Sequence, residues 1–270
     1  MSKTGSAAKV KLNSFDDLFG TEQPQTGTEQ VQEIALSELH EFKGHPFKVL
    51  DDEKMQETME SIREHGVLMP GIARPMKDGG YEIIAGHRRR HACELVGLTT
   101  MPMFIRDYTD DEATIIMVDS NIQREDILPS EKAKAYFMKY EAVKHQGKKG
   151  KGNSLDEVGE TAGESAKTVQ RYIYLAHLSD ALLDMVDKKK IGIVQGVELS
   201  FLTEQQQEWV QVVLEETGVI ISTVQASRLK EHGKSDELTL PMVRLILTES
   251  KPIERKVTIK ADKISRYFPE

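Results

Sequence analysis

The sequence predicts an α+β N-terminal domain, followed by an all-α helix-turn-helix domain and a small C-terminal segment. Short apolar runs suited to strands alternate with helical patterns up to about residue 128. From Pro129 onward apolar residues recur mainly at helical spacing, and residues 155–174 fit a helix-turn-helix. The chain has 270 residues, of which 39% are hydrophobic, so it can form one large or several small cores.

Composition narrows the class of protein. A single cysteine excludes a disulfide framework and favours a reducing compartment. No apolar run approaches the roughly 20 residues that a membrane span needs, and no signal-peptide core is present. We therefore expect a cytoplasmic protein without a membrane partner.

Residues 1–30 are rich in Ser, Thr, Gln and Gly, which predicts a disordered tail. One amphipathic island lies at 12–19, where four apolar residues recur at helical spacing: Leu12, Phe15, Leu18 and Phe19. This island either docks a partner protein or packs on its own chain.

Residues 31–128 predict a compact α+β domain. Asp51 or Asp52 is suited to cap a helix that ends at Gly66, and the sequence at 78–80 is suited to a hairpin turn. The remaining predicted elements are strands at 34–36, 81–85 and 101–105, a turn leading into a short strand within 67–75, and helices at 92–96 and 110–120.

Residues 86–92 contain three consecutive arginines between a strand and a helix. Gly86 lets the backbone turn sharply, and the following helix directs its free N–H groups and positive dipole end toward any ligand there. Arginines at that position favour phosphate. The alternative is an arginine-rich, solvated helix face.

Residues 129–217 predict a helical domain, which begins with a helix from Ser130 to about Val143. Seven lysines and one glutamate lie between Lys132 and Lys151, although the net charge of the chain is −8. This basic stretch is interpreted either as a polyanion-binding segment or as a solvated linker, and its candidate DNA contacts are Lys148, Lys149 and Lys151.

The helix-turn-helix prediction for 155–174 depends on three positions. Gly159 is small where two helices cross, Gly163 lies at the turn, and Val169 lies where the second helix enters the core. The alternative is a helical hairpin without a ligand. The candidate DNA-binding residues here are Ser165, also expected to cap the second helix, Lys167, Thr168, Gln170 and Arg171.

The arginine-rich box, the Asn121–Glu131 segment and the helix-turn-helix occur in an order that resembles the ParB family of chromosome and plasmid partition proteins. The resemblance runs from about residue 31 to about residue 216. It implies a CTP-binding N-terminal domain, a palindromic double-stranded DNA site, a homodimer that closes as a clamp, and a ParA-like ATPase that docks on 12–19. The protein would then be associated with a nucleoid or plasmid.

The same resemblance implies roles for individual residues. Gly86, His87, Arg88 and Arg89 would hold the triphosphate, Asn121 would lie near Mg²⁺, and Gln123 and Arg124 would lie near the phosphates. Two positions depart from the family pattern, since His87 and Ser120 stand where the family usually has glutamate. Loss of two carboxylates weakens the case for magnesium binding and leaves at most a weak CTPase.

Two other functions remain open at this point, a ParB-like transcriptional regulator and an enzyme on the related sulfiredoxin scaffold. A sulfiredoxin-type enzyme needs a cysteine where this chain has Gly86, and Cys93 is nearly two helical turns away. Within the C-terminal segment 218–270, five apolar residues either form a dimer interface or pack back on the helical domain. They are Val257, Ile259, Ile264, Tyr267 and Phe268.

Overall fold

The computed structural model describes residues 30–124, 126–146, 154–235 and 237–249. Outside this description lie, among others, residues 1–29, 147–153 and 250–270. They include the predicted island at 12–19 and the candidate DNA contacts Lys148, Lys149 and Lys151. The strands are β1 (Val31–Ala35), β2 (Leu39–His40), β3 (Gly71–Pro75), β4 (Tyr81–Ala85) and β5 (Thr100–Ile105). The helices are α1 (Glu53–His65), α2 (His87–Val96), α3 (Asp110–Asn121), α4 (Pro129–His145), α5 (Ser154–Glu160), α6 (Ala166–Leu175), α7 (Asp180–Asp187), α8 (Ile193–Leu199), α9 (Glu204–Thr217), α10 (Thr223–Lys234) and α11 (Leu240–Thr248).

The five strands form one mixed sheet in the order β1-β5-β3-β4-β2. β1 pairs antiparallel with β5, β5 pairs parallel with β3, and β4 pairs antiparallel with β3 and parallel with β2. The turn between β3 and β4 contains Gly79 and Gly80, both at positive φ, as the hairpin prediction requires. The predicted α+β N-terminal fold with a helical region after it is therefore confirmed.

Helices cover both faces of the sheet. On one face, α1 and α2 pack Met55, Ile62 and Cys93 against Ile83 and Met101 of the strands. On the other face, Ile72 and Ile84 contact a second cluster built from α3, α4, α5 and α6. Because β4 and the following turn lie between the two clusters, the start of α2 is held at the edge of a well-packed core.

The hydrophobic clusters do not follow the predicted domain boundaries. Tyr136 of α4 and Val169 of α6 pack in the same cluster as Ile84 of the sheet, across the predicted boundary after residue 128. Leu229 and Val243, from the predicted C-terminal segment, share a third cluster with the helices before them. Within the described residues, 218–249 are thus part of the helical body.

α5 and α6, joined by a short turn, are the two helices of the predicted helix-turn-helix. Gly163 in the turn has a φ of 65°, in the left-handed region that favours glycine. A Cβ at Gly159 would lie 2.3 Å from the carbonyl oxygen of Glu164, so the two helices cross too closely for a side chain there. Ser165 caps α6 by accepting a hydrogen bond from the Thr168 amide, and Val169 is fully buried.

In the part of the chain that the structure describes, no helix is both long and apolar enough to cross a bilayer.

Candidate functional site

A cavity of about 390 Å³ lies between the start of α2 and the end of α3. Its floor comes from the sheet through Ile72 and Ala85, and its walls carry polar and charged side chains. The lining residues from these walls include His45, Gly86, His87, Arg88, Arg89, Asp119, Ser120, Asn121, Gln123 and Arg124. The structure therefore gathers all seven predicted nucleotide-site residues around one cavity.

The backbone at Gly86 sets the direction of α2. Its φ of 112° lies in a region that L side chains rarely adopt, and a Cβ there would lie 3.2 Å from the Cα of Gly71. No side chain caps this end of α2, and the first intrahelical amide bond runs from Arg90 to the Gly86 carbonyl. The amides of His87, Arg88 and Arg89 thus remain available to an anion in the cavity.

Arg88 and Arg89 differ in what already compensates their charge. Arg88 Nη2 lies 2.9 Å from Oδ1 of Asp52, the residue that caps α1. Arg89 instead donates to two backbone carbonyl oxygens, those of Met69 and of Pro70, the latter at 2.8 Å. Burial lowers the pKa of Arg89, and no carboxylate among the described residues pairs with its guanidinium.

Two histidines stack in the cavity wall. The ring centroids of His45 and His87 are 3.9 Å apart, with 34° between the ring planes. The Nε2 atoms of both rings are buried and find no hydrogen-bond partner within the described structure. Burial, together with the nearby His45 and Arg90, lowers the pKa of His87 to about 3, so its ring is neutral near pH 7. His45 was not predicted as a site residue.

The opposite wall is the C-terminal end of α3 and the turn after it. The side-chain amide of Asn121 donates from Nδ2 to the Met117 carbonyl at 2.9 Å. Gln123 Nε2 donates to the carbonyl oxygen of Thr161, in the turn between α5 and α6, at 3.0 Å. The cavity wall is therefore bonded directly to the helix-turn-helix.

A buried ion pair makes a second connection at this wall. Lys139 of α4 is 3% exposed, and its Nζ lies 2.5 Å from Oδ1 of Asp119. The same Nζ donates to the Val158 carbonyl at 3.3 Å and to Thr161 Oγ1 at 3.2 Å. Lys139 thus joins α3, at the cavity, to the end of α5 and the turn that follows.

The exposed surface of α6 contains the predicted DNA-binding residues Lys167, Gln170 and Arg171. Gln170 Nε2 donates to the Tyr174 hydroxyl at 3.2 Å. The hydroxyls of Ser165 and Thr168 lie 3.0 Å apart, so part of their hydrogen-bonding capacity is used within the cap.

Four lysines of the basic stretch from Lys132 to Lys151 form ion pairs. The pairs are Lys132 with Glu164, Lys134 with Asp180, Lys139 with Asp119 and Lys144 with Glu141. Lys139 is 3% exposed and so is not available to a polyanion, whereas polyanion binding by the rest of the stretch stays a prediction. Lys148, Lys149 and Lys151 lie outside the described residues.

Comparison with known proteins shows which family the chain belongs to. The model for the ParB N-terminal domain matches residues 20–122, which contain most of the cavity lining. A probable chromosome 1-partitioning protein ParB from Deinococcus radiodurans is 32% identical over 212 residues, which are 78% of this chain and 70% of the relative. The chain belongs to the ParB family.

Two further matches also span most of the chain. A nucleoid occlusion protein from Halalkalibacterium halodurans is 30% identical over 182 residues, covering 67% of this chain and 61% of that protein. A C-terminally truncated ParB from Caulobacter crescentus, solved in complex with CTP-γ-S, is 26% identical. It covers 74% of this chain and 98% of its own, with a TM-score of 0.33.

Proposed function

We propose that this ParB protein binds a specific DNA site through α5 and α6 and binds a nucleoside triphosphate, CTP, in the cavity. The observation that carries the proposal is the position of the cavity. It lies between the amide-rich start of α2 and a wall that is hydrogen-bonded to the helix-turn-helix through Gln123 and Thr161. Occupation of the cavity can therefore bias the DNA-binding element.

Arg89 supports an anionic ligand. A partly buried guanidinium without a carboxylate partner is costly, and a phosphate oxygen compensates its charge with bidentate geometry. Arg124, on the opposite wall, brings a further guanidinium to the same cavity. Arg88, the α2 amides, and the side chains of His87, Asn121 and Gln123 complete the proposed triphosphate site. CTP is chosen among the triphosphates because the family resemblance implies it.

The surface of α6 supports DNA as the partner. Lys167, Gln170 and Arg171 are exposed on the second helix of the motif, where such side chains reach base edges or phosphates in a major groove. Ser165 and Thr168 lie at the N-terminal end of this helix, which favours phosphate. A palindromic site would engage two copies of the chain, so we also propose a homodimer.

Nucleotide-dependent closure of that dimer into a DNA clamp, and docking of a ParA-like ATPase on residues 12–19, are part of the same proposal. Association with a chromosomal nucleoid or a plasmid would follow from these contacts. The family resemblance supports both the clamp and the ParA-like partner. In such a clamp the helix-turn-helix would hold the DNA and the cavity would hold the nucleotide.

Calorimetric titration of the full chain with each of the four ribonucleoside triphosphates tests the nucleotide site. We expect CTP to bind most tightly, and Arg89→Ala to weaken it by about tenfold or more through loss of a charge-assisted contact. The matched control is Arg244→Ala, since Arg244 pairs with Glu216 at an exposed position far along the chain. Absence of binding by all four triphosphates would contradict the proposal.

A role in nucleoid occlusion is a second candidate, favoured by the match to the H. halodurans protein. The two roles differ in the phenotype of a deletion strain. Loss of DNA segregation with normal division would favour partition, whereas division across unsegregated DNA would favour occlusion.

A further inference from the structure

The family resemblance implies Mg²⁺ beside the triphosphate, but the donor set of the cavity does not suit this ion. Asp119 is the one carboxylate among the described lining residues, and Lys139 already neutralises it at 2.5 Å. Mg²⁺ is normally held by one or two carboxylates together with phosphate oxygens and water. No cluster of three acidic, His or Cys side chains suited to a metal occurs within the described ranges.

The remaining side chains offer little to a hard cation. Asn121 supplies one neutral carbonyl oxygen, and Ser120 directs its hydroxyl hydrogen bond to the Met117 carbonyl at 3.0 Å. His45 and His87 are imidazoles, which suit softer transition metals better than Mg²⁺. Three guanidinium groups, from Arg88, Arg89 and Arg124, repel a dication.

The same groups suit a bare triphosphate. Arg89 and Arg124 supply positive charge, and the free amides at the start of α2 supply aligned donors. His45 and His87 add no negative charge to the cavity, and burial keeps the His87 ring neutral near pH 7. The negative charge of the phosphates, which Mg²⁺ would otherwise neutralise, is compensated here by side chains and backbone amides.

We infer that this cavity binds the nucleoside triphosphate without Mg²⁺, its phosphates being held by Arg88, Arg89, Arg124 and the start of α2. The inference rests on the proposed nucleotide site and specifies its charge balance. The site should therefore prefer free triphosphate to its Mg²⁺ complex, because Mg²⁺ would have to dissociate from the complex before the phosphates bind.

The test is calorimetric titration of the full chain with CTP, once in EDTA and once in excess Mg²⁺. We expect binding in EDTA that is at least as tight as in Mg²⁺. Tightening by Mg²⁺ of more than about threefold, or roughly 0.7 kcal/mol, would overturn the inference while leaving the nucleotide site intact. Failure of CTP to bind in every buffer would instead overturn the proposed function.

A pair of variants at one position provides an independent readout. His87→Glu places a carboxylate beside the phosphates, so its CTP affinity should fall in EDTA and recover when Mg²⁺ is added. His87→Gln keeps the position neutral and should remain indifferent to Mg²⁺, which controls for loss of the ring stacking with His45. If both variants respond to Mg²⁺ alike, position 87 does not face the phosphates and the inference is wrong. Far-UV circular dichroism verifies that each variant is folded.

Discussion

Replacement of Lys139 by methionine tests the connection between the cavity and the helix-turn-helix. Met keeps much of the side-chain volume but removes the charge, which leaves Asp119 without its partner in a largely buried position. Removal of one partner from a buried ion pair costs roughly 3–5 kcal/mol. Asp119 is 20% exposed, so water reaches it, and we expect a loss near the lower limit, about 3 kcal/mol.

Urea unfolding, followed by far-UV circular dichroism, measures this loss. With a slope of about 2 kcal/mol/M, the midpoint should fall by roughly 1.5 M. Lys134→Met, on the same helix, is the matched control. Lys134 and its partner Asp180 are 44% and 88% exposed, so their pair should contribute less than about 1 kcal/mol. Equal midpoints for Lys139→Met and Lys134→Met would refute the assignment of Lys139 as a buried connector.

Four further predictions concern α6, the turn before it and the cavity. Arg171→Ala should weaken binding to the cognate duplex by about 1–3 kcal/mol in fluorescence anisotropy, whereas Lys77→Ala, in the exposed β3–β4 turn, should leave it unchanged. Lys167→Ala should reduce the slope of log affinity against log salt by about 0.9 if it contacts one phosphate, and an unchanged slope would exclude that contact. Gly163→Ala should lower the free energy of unfolding by about 1 kcal/mol, because its φ is 65°, and a neutral effect in urea titration would argue against this turn geometry. The pKa of His87 is lowered to about 3 in the folded state, so between about pH 6.5 and pH 3 only the unfolded chain binds this proton, and the free energy of unfolding should fall as the pH drops through that range. His87→Gln should flatten this dependence of stability on pH. An identical dependence in the variant would contradict the burial of the ring.

Local chemistry made much of the fold predictable. The cap of α1 by Asp52, the hairpin glycines and the cap of α6 by Ser165 each depend on residues within a few positions of one another. The same holds for Gly86, whose place between a strand and an arginine-rich helix indicated an anion site before any distance was known.

The contacts that define the cavity were less accessible from sequence. His45 faces His87 across more than forty residues, and Lys139 reaches Asp119 from another helix, so no periodic pattern marks either pair. Lys139 also illustrates what charge counting cannot show, since this lysine of a basic stretch is nearly fully buried against a carboxylate. The shared core of α3 with α4, α5 and α6 likewise depends on side chains distant in sequence, which a composition change at residue 128 does not reveal.

We propose that nucleotide in the cavity acts on the DNA-binding element through the contact of Gln123 with Thr161. The most direct measurement is the dissociation rate of the full chain from an immobilised palindromic duplex with blocked ends, with and without CTP. The account predicts that CTP changes this rate, and that Gln123→Ala, but not Gln205→Ala on the exposed side of α9, diminishes the change. An identical dissociation rate with and without saturating CTP would contradict it.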